Sequence, residues 1–172
     1  DTEYRGYPRV AYPELAEWIK KYHSAGFQLA VHGNGDASID DILDAFEQAQ
    51  KAFPKEDPRL ILIHAQMARE DQLARMKTLG VTPSFFSAHT YYWGDRHAAI
   101  FMGPERAANM SPARWALEAG VRFSSHLDTP VTPMLPLQAV WSQVERKSTG
   151  GAIIGPDQRI DRLSALRAVT ID

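Results

Sequence analysis

The sequence predicts an α/β chain built as four consecutive strand–helix units of a (β/α)8 TIM barrel, a partial barrel with parallel strands. Three observations carry this expectation. Apolar, strand-like runs alternate with helix-like segments along the whole 172 residues, and strands separated by helices imply right-handed crossovers and a parallel sheet. Three of the runs end in a residue able to bind metal: residues 27–32 (FQLAVH), 60–64 (LILIH) and 121–128 (VRFSSHLD). A parallel barrel gathers side chains from separate strand ends at the carboxyl edge of its sheet, and ~250 residues complete it, so four units make half of one.

The elements follow in order. Pro13 opens a helix with Leu15, Trp18, Ile19 and Tyr22 on one face, and Gly26 stops it. The first strand runs to His32 and gives way to the tight turn Gly33-Asn34-Gly35. Asp36 or Ser38 is expected to cap the next helix, whose apolar residues Ile39, Ile42, Leu43 and Phe46 recur at helical spacing. Four apolar residues in a row, Leu60 to Ile63, predict a strand covered on both faces. Glu70 and Asp71 favour a helix start, Leu73, Met76 and Leu79 form its buried stripe, and Gly80 ends it. A third strand spans residues 81–86 despite Pro83. Residues 89–97 (HTYYWGDRH) read as a long aromatic loop. Ser111 as cap and Pro112 in the first turn open a helix that Gly120 closes. The fourth strand follows at residues 121–125, then a helix at about 137–146 and a last one at 162–169.

Composition narrows the function. Hydrophobic residues make up 44% and charged residues 23%, an ordinary globular balance. The formal net charge of −2 offers no basic field for nucleic acid or for an anionic membrane surface. No apolar run approaches the roughly 20 residues of a membrane span. There is no cysteine, so disulfides and thiolate metal sites are excluded; this fits a reducing, cytoplasmic compartment without defining one. The glycines near Gly150 lack the G-K-[ST] of a phosphate loop, and Gly33-Asn34-Gly35 lacks the third glycine of a dinucleotide fingerprint.

The candidate ligands are His32, His64 and Asp128. Two imidazoles and a carboxylate suit a divalent cation with positions open to water and substrate. Each has a plainer reading: a lone histidine after a strand is commonly structural, and an aspartate before Thr-Pro commonly closes an Asx-turn. Their matching places at three strand ends favour ligation, with Asp128 also the catalytic proton acceptor. Gln66 and Asn34 are placed to support the ligands, and His126 is either a supporting donor or a packed core histidine. His89, Tyr92 and Trp93 either line a substrate pocket or pack their loop onto the rim. Asp95 and Arg96 read as a surface pair or loop anchor, and His23 and His97 as exposed.

The segments VHGNGD, IHAQ, HTYYWGDRH, GPERAANMSPARWALEAGVRFSSHLDTPVTPM and LRAVTID together resemble the amidohydrolase superfamily, in its YtcJ-like (amidohydrolase family 3) branch. The resemblance runs from about Leu29 onward. It implies a barrel that binds one or two zinc ions and hydrolyses a small-molecule amide-type C–N bond. By position it makes His32, His64 and Asp128 the ligands ending the fifth, sixth and eighth barrel strands, with Asp128 the proton shuttle. The family's His-x-His pair and strand-end lysine have no counterpart here. The expectation is therefore the C-terminal half of a longer enzyme over residues 1–172, inactive alone and prone to self-association through its open edges. A non-catalytic α/β domain binding a ligand or partner, and a metal-dependent phosphoester hydrolase, are the competing expectations; the latter should show Arg or Lys at the site.

Overall fold

The computed structural model describes residues 6–171. Four strands, β1 (Ala30–Gly33), β2 (Ile61–His64), β3 (Thr82–Phe85) and β4 (Ser124–Ser125), pair in chain order β1-β2-β3-β4, all parallel. The architecture is α/β and consistent with part of a TIM barrel, as the sequence pattern predicts. Helices α1 (Tyr12–Ser24), α2 (Asp36–Ala52) and α3 (Glu70–Leu79) precede, link and follow the first two strands. Between β3 and β4 stand α4 (His89–Arg96), a π-helical turn (His97–Phe101), α5 (Pro104–Ala108) and α6 (Ala113–Glu118). Helices α7 (Pro136–Glu145) and α8 (Arg162–Ala168) complete the described chain. No helix among the described residues is long and apolar enough to cross a membrane.

The core lies between the sheet and its helices. The predicted stripe of α2 is fully buried at Ile39, Ile42, Leu43 and Phe46, and Leu73 and Met76 of α3 join it against Leu62 and Phe85 of the sheet. Burial along β2 alternates, with Leu62 closed off and Ile61 and Ile63 only half-buried, so one face of this strand is less covered than its run of apolar residues implies. Pro83 is tolerated because of the parallel ladder's alternation. The Thr82 N–H donates to the Leu60 carbonyl just before β2 at 2.8 Å, so position 83 turns its nitrogen toward β4, whose pairing begins only at Ser84↔Ser124.

Several local expectations are corrected. Residues 89–96 are helix, not loop. Gly94 looks like a breaker, yet it is there for clearance: a Cβ would stand 2.8 Å from Ile154 Cγ1. Gly35 rather than Asp36 or Ser38 is the cap residue of α2, and Ser38 Oγ instead donates to the Gly35 carbonyl at 2.7 Å. Helix α6 starts at Ala113 with Pro112 as its cap residue, while Ser111 takes a left-handed φ of 48° and donates its N–H to the Gln66 carbonyl at 2.7 Å. On α1, Ile19 is buried, but Trp18 and Tyr22 remain exposed along a groove that continues over β1. His23 is buried, not exposed, with Nε2 2.9 Å from the Phe53 carbonyl.

One buried cation locks the later half of the fold. Arg146 follows α7 with φ 50° and is 2% exposed. Its guanidinium donates to the carbonyls of Ile154 (2.6 Å), Met110 (2.9 Å), Ala108 (3.2 Å) and Ser111 (3.4 Å). Burial, with Arg159 nearby, pushes its pKa down to about 10, so it stays charged at neutral pH. Gly155 lets the strands of this knot meet: its φ is +62° and an added Cβ would lie 1.8 Å from the Ala108 carbonyl oxygen. Replacing Arg146 with Ala leaves several buried acceptors unmade and is expected to destabilise the fold by about 3 kcal/mol or more. Lysine should recover only part, since it lacks the planar fork. Urea midpoints of the two variants check this, and an Arg146→Ala midpoint equal to the parent's contradicts it.

Candidate metal centre

The strand register builds the site. His32, Ile63, Ser84 and Ser124 form one cross-strand row, and Gly33, His64, Phe85 and Ser125 the next. Side chains on neighbouring strands in register share a face, and the face alternates along each strand. His126 follows this second row; its N–H donates to the Phe85 carbonyl at 2.9 Å, extending the ladder beyond β4. His126 thus shares the face of Ser124 and Ser84.

His64 departs from its strand. Plain alternation would aim it with Leu62 toward the helices. Instead φ turns positive at His64 (73°) and Ala65 (47°), where the chain leaves the strand. Asp128 is also left-handed, with φ 53°. Such backbone costs roughly 1–3 kcal/mol, and His and Asp tolerate it better than most residues. The result is a convergence: one ligand-capable atom each from His64, His126 and Asp128 lies within 4.8 Å of the others. The His32 ring centroid is 4.5 Å from that of His64. His32 therefore adjoins the cluster, and His126, expected behind the ligands, stands among the ligand-capable groups.

The donor set fits a divalent cation. His64 Nδ1 and His126 Nε2 face each other at 3.3 Å. A tetrahedral ion with bonds of about 2.0–2.1 Å holds two nitrogens about 3.3 Å apart. Ligation requires neutral imidazoles. Burial first, then His126 and His32, pushes the His64 pKa down to about 4 against the opposing pull of Asp128. Burial likewise lowers that of His126. The turn at Asp128 closes through the backbone, Val131 N–H donating to the Asp128 carbonyl at 2.8 Å, with the Thr132 hydroxyl donating to Leu127 O. The carboxylate is not consumed as the Asx-turn reading would require.

Support for the cluster comes from residues the sequence did not single out. Ser84 Oγ lies 3.0 Å from His126 Nδ1 and accepts from Ser124 Oγ at 3.0 Å. A proton on Nδ1 shared with Ser84 leaves the Nε2 lone pair toward the cluster. The signal was present in the alternation of β3 and β4, where serines replace apolar residues on one face. Gln66 does not contact the candidate ligands: its amide nitrogen meets His97 Nε2 (3.3 Å) and Met110 Sδ (3.6 Å). The Asn34 backbone carbonyl accepts from Met67 N–H at 2.9 Å, while its side-chain oxygen is buried without a partner among the described residues.

The aromatic segment packs inward. His89 stands 6.0 Å from His64 and 4.3 Å from Phe86, centroid to centroid, so it adjoins the cluster. Trp93 packs 6.0 Å from Phe86, and Tyr92 donates its hydroxyl to Gln138 Oε1 at 3.1 Å on α7. Tyr92 and Trp93 pack against the small core of Phe86, Ala88, Leu127 and Ala139. His97, expected to be exposed, is partly buried against His89 and Gln66. Asp95 is a loop anchor, accepting from Ser148 Oγ (2.7 Å) and Gly150 N (3.0 Å). Arg69, the nearest cation after β2 in the chain, is tied to Asp40 and Asp71, which leaves it no free fork for a phosphoryl group.

A parallel sheet with imidazole and carboxylate groups gathered at its carboxyl edge is the arrangement of a metal-dependent hydrolase barrel. Comparison with known proteins gives the family. The model of the amidohydrolase family matches residues 1–172, and the chain belongs to that family. It is 33% identical over 159 residues to the N-substituted formamide deformylase of Arthrobacter pascens, covering 92% of this chain and 29% of that protein. It is 30% identical over 139 residues to the putative amidohydrolase YtcJ of Bacillus subtilis, covering 78% of this chain and 25% of that protein. The chain thus spans less than a third of the curated relatives it matches. Among solved structures, an uncharacterized metal-dependent hydrolase from Pyrococcus horikoshii OT3 superposes with a TM-score of 0.79 at 25% identity, over 98% of this chain and 33% of that one. Its counterpart from Pyrococcus furiosus gives 0.74 at 25% identity, over 96% and 32%.

The buried histidines predict an acid-sensitive fold in the metal-free protein. Burial, with His64, His97 and His126 close by, holds the His89 pKa down at about 3, and that of His64 is about 4, both below 6.5 for a free imidazole. Stability from the neutral rings is present above about pH 6.5 and is lost as pH falls toward 4 and then 3. Urea midpoints should drop between pH 7 and pH 4, less steeply in His89→Gln. Identical slopes for the variant and the parent would refute the assignment to His89.

Proposed function

We propose that the protein carrying this chain hydrolyses a non-peptide, amide-type C–N bond of a small molecule, using a divalent metal. The observation that carries the reading is the meeting of His64, His126 and Asp128 at the carboxyl edge of a parallel sheet in an amidohydrolase-family chain. His64, His126 and Asp128 would hold the ion, and His32, beside His64, is the fourth candidate ligand. Two or three imidazoles with one carboxylate and no thiolate suit zinc. When bound, such a cation polarises the carbonyl under attack and makes water acidic enough to attack near neutral pH.

The chain's own residues do the rest. The Asp128 carboxylate accepts a proton from the attacking water at Oδ and returns it to the leaving nitrogen. Ser84 holds His126 in one orientation. His89 is the substrate wall nearest the cluster, held from behind by Trp93 at 5.6 Å and by the packing of Tyr92. The formamide deformylase relative supports a formamide or similar amide as substrate.

In the full-length protein, His32→Ala and His64→Ala should each lower bound zinc by elemental analysis. Asp128→Asn should retain more metal than His64→Ala yet lower kcat by about 10²–10⁴-fold. Unchanged metal content in both alanine variants would remove the assignment.

Self-association is the finer expectation for the chain itself. The outer side of β1 is open, with Ala30 and His32 exposed beside the Trp18–Tyr22 groove, and an uncovered strand edge offers unpaired backbone groups. Light scattering of the 172-residue chain should give at least a dimer mass. A clean monomer at high concentration would speak against it.

A further inference from the structure

Next to the cluster lies a second pair of imidazoles, His89 and His97, on one continuous helical segment. Their ring centroids are 5.9 Å apart. The Nδ1 atoms of both rings are buried and have no hydrogen-bond partner among the described residues. Buried polar atoms are rarely left this way, and those that are call for a ligand or a fixed water.

Gln66 decides which nitrogen of His97 carries the proton. Its amide nitrogen lies 3.3 Å from His97 Nε2 and 3.6 Å from the Met110 sulfur. An amide nitrogen only donates, so its two hydrogens go to two lone pairs, one on sulfur and one on His97 Nε2. Burial lowers the His97 pKa and keeps the ring neutral. Its single proton is then on Nδ1, where it finds no acceptor.

The position of this donor points to a ligand. Ring centroids run from His64 to His89 (6.0 Å), to His97 (5.9 Å), to Phe101 (5.7 Å), and Phe101 is 64% exposed. This row leads from the cluster to solvent. It ends in the π-helical turn His97–Phe101, a widened geometry that recurs at functional sites. Phe101, exposed at the end of this row, is the member that meets solvent.

We propose that His97, with its tautomer set by Gln66, is a substrate-binding residue whose Nδ1–H donates to a carbonyl or carboxylate oxygen of the substrate, with His89 as the adjoining wall. This rests on the hydrolase reading above and adds a contact away from the metal. It assigns Gln66 a role in substrate binding through His97, in place of support for the candidate ligands.

The test uses the full-length, metal-loaded protein. Asparagine at position 97 keeps an amide N–H close to where Nδ1 stands; glutamine carries it to the Nε2 position; phenylalanine removes it. His97→Asn should keep KM for an amide substrate within about twofold. His97→Gln and His97→Phe should raise KM about tenfold, the worth of one hydrogen bond, with kcat little changed. Equal losses in all three, tracking a fall in thermal midpoint, mean packing alone and overturn the proposal. Nitrogen NMR of the imidazoles is the second arm, with formamide and formate as probes. The Nδ1–H form of His97 is expected, with its resonance shifting on addition of formamide for a carbonyl partner, or of formate for a carboxylate. An Nε2–H form, or a signal unmoved by either probe because a fixed water holds it, overturns the proposal. Failure of the parent protein to hydrolyse any amide would sink the hydrolase reading, and the NMR arm would still decide the role of His97.

Discussion

The parallel register of four short strands is the constraint on which everything else depends. Strands paired in chain order put Gly33, His64, Phe85 and Ser125 on one level. Segments separated by 21 to 92 residues in sequence then finish at the same rim: His126 reaches His64 across 62 positions and Ser84 across 42. A slip of one residue at β3 would turn Ser84 to the helix side and bring Phe85 against His126. The large apolar side chains that prevent this slip, Leu62 and Phe85, belong to the main core. Packing on one face of the sheet therefore sets the chemistry on the other.

Electrostatics follow from that packing. The imidazoles at the rim are partly closed off from water, and burial is the first cause of the lowered pKa of His64, His89, His97 and His126. Neutral rings can lie side by side, whereas four imidazolium ions so close would repel strongly. The buried charge of this half of the molecule is kept elsewhere, in Arg146, and is spent on backbone carbonyls. That division leaves the rim with lone pairs, one carboxylate and, among the described residues, no competing ammonium or guanidinium at hydrogen-bond distance from the cluster. It is a coordination environment in which a cation replaces protons.

Much of this was legible in the sequence. Strands that end in His32, His64 and Asp128 stand out because apolar runs stop abruptly at polar residues, and the stripes of α2 and α3 follow from spacing alone. Other features depend on contacts between distant segments. The helix at His89–Arg96 is hidden by bulky aromatics and by Gly94, whose role is clearance for Ile154. His126 reads as either a supporting donor or a packed core histidine until Ser84 is known to lie opposite it. The exposure of Trp18 and Tyr22 arises at the open edge beside β1, and no periodicity within α1 reports what its neighbour covers. Gln66 looked like a partner of the nearby His64 because the two are close in sequence, but the left-handed exit sends it toward Met110 and His97.

The left-handed exits at His64 and Asp128 carry one more consequence. Backbone of that hand is disfavoured for most side chains and worst for β-branched ones, while glycine, asparagine, aspartate and histidine enter it more readily. Of that short alphabet, only histidine and aspartate offer a strong donor to a metal. The path of the chain as it leaves the sheet thus acts as a filter on what evolution can write at these two positions, before any demand from the reaction is considered.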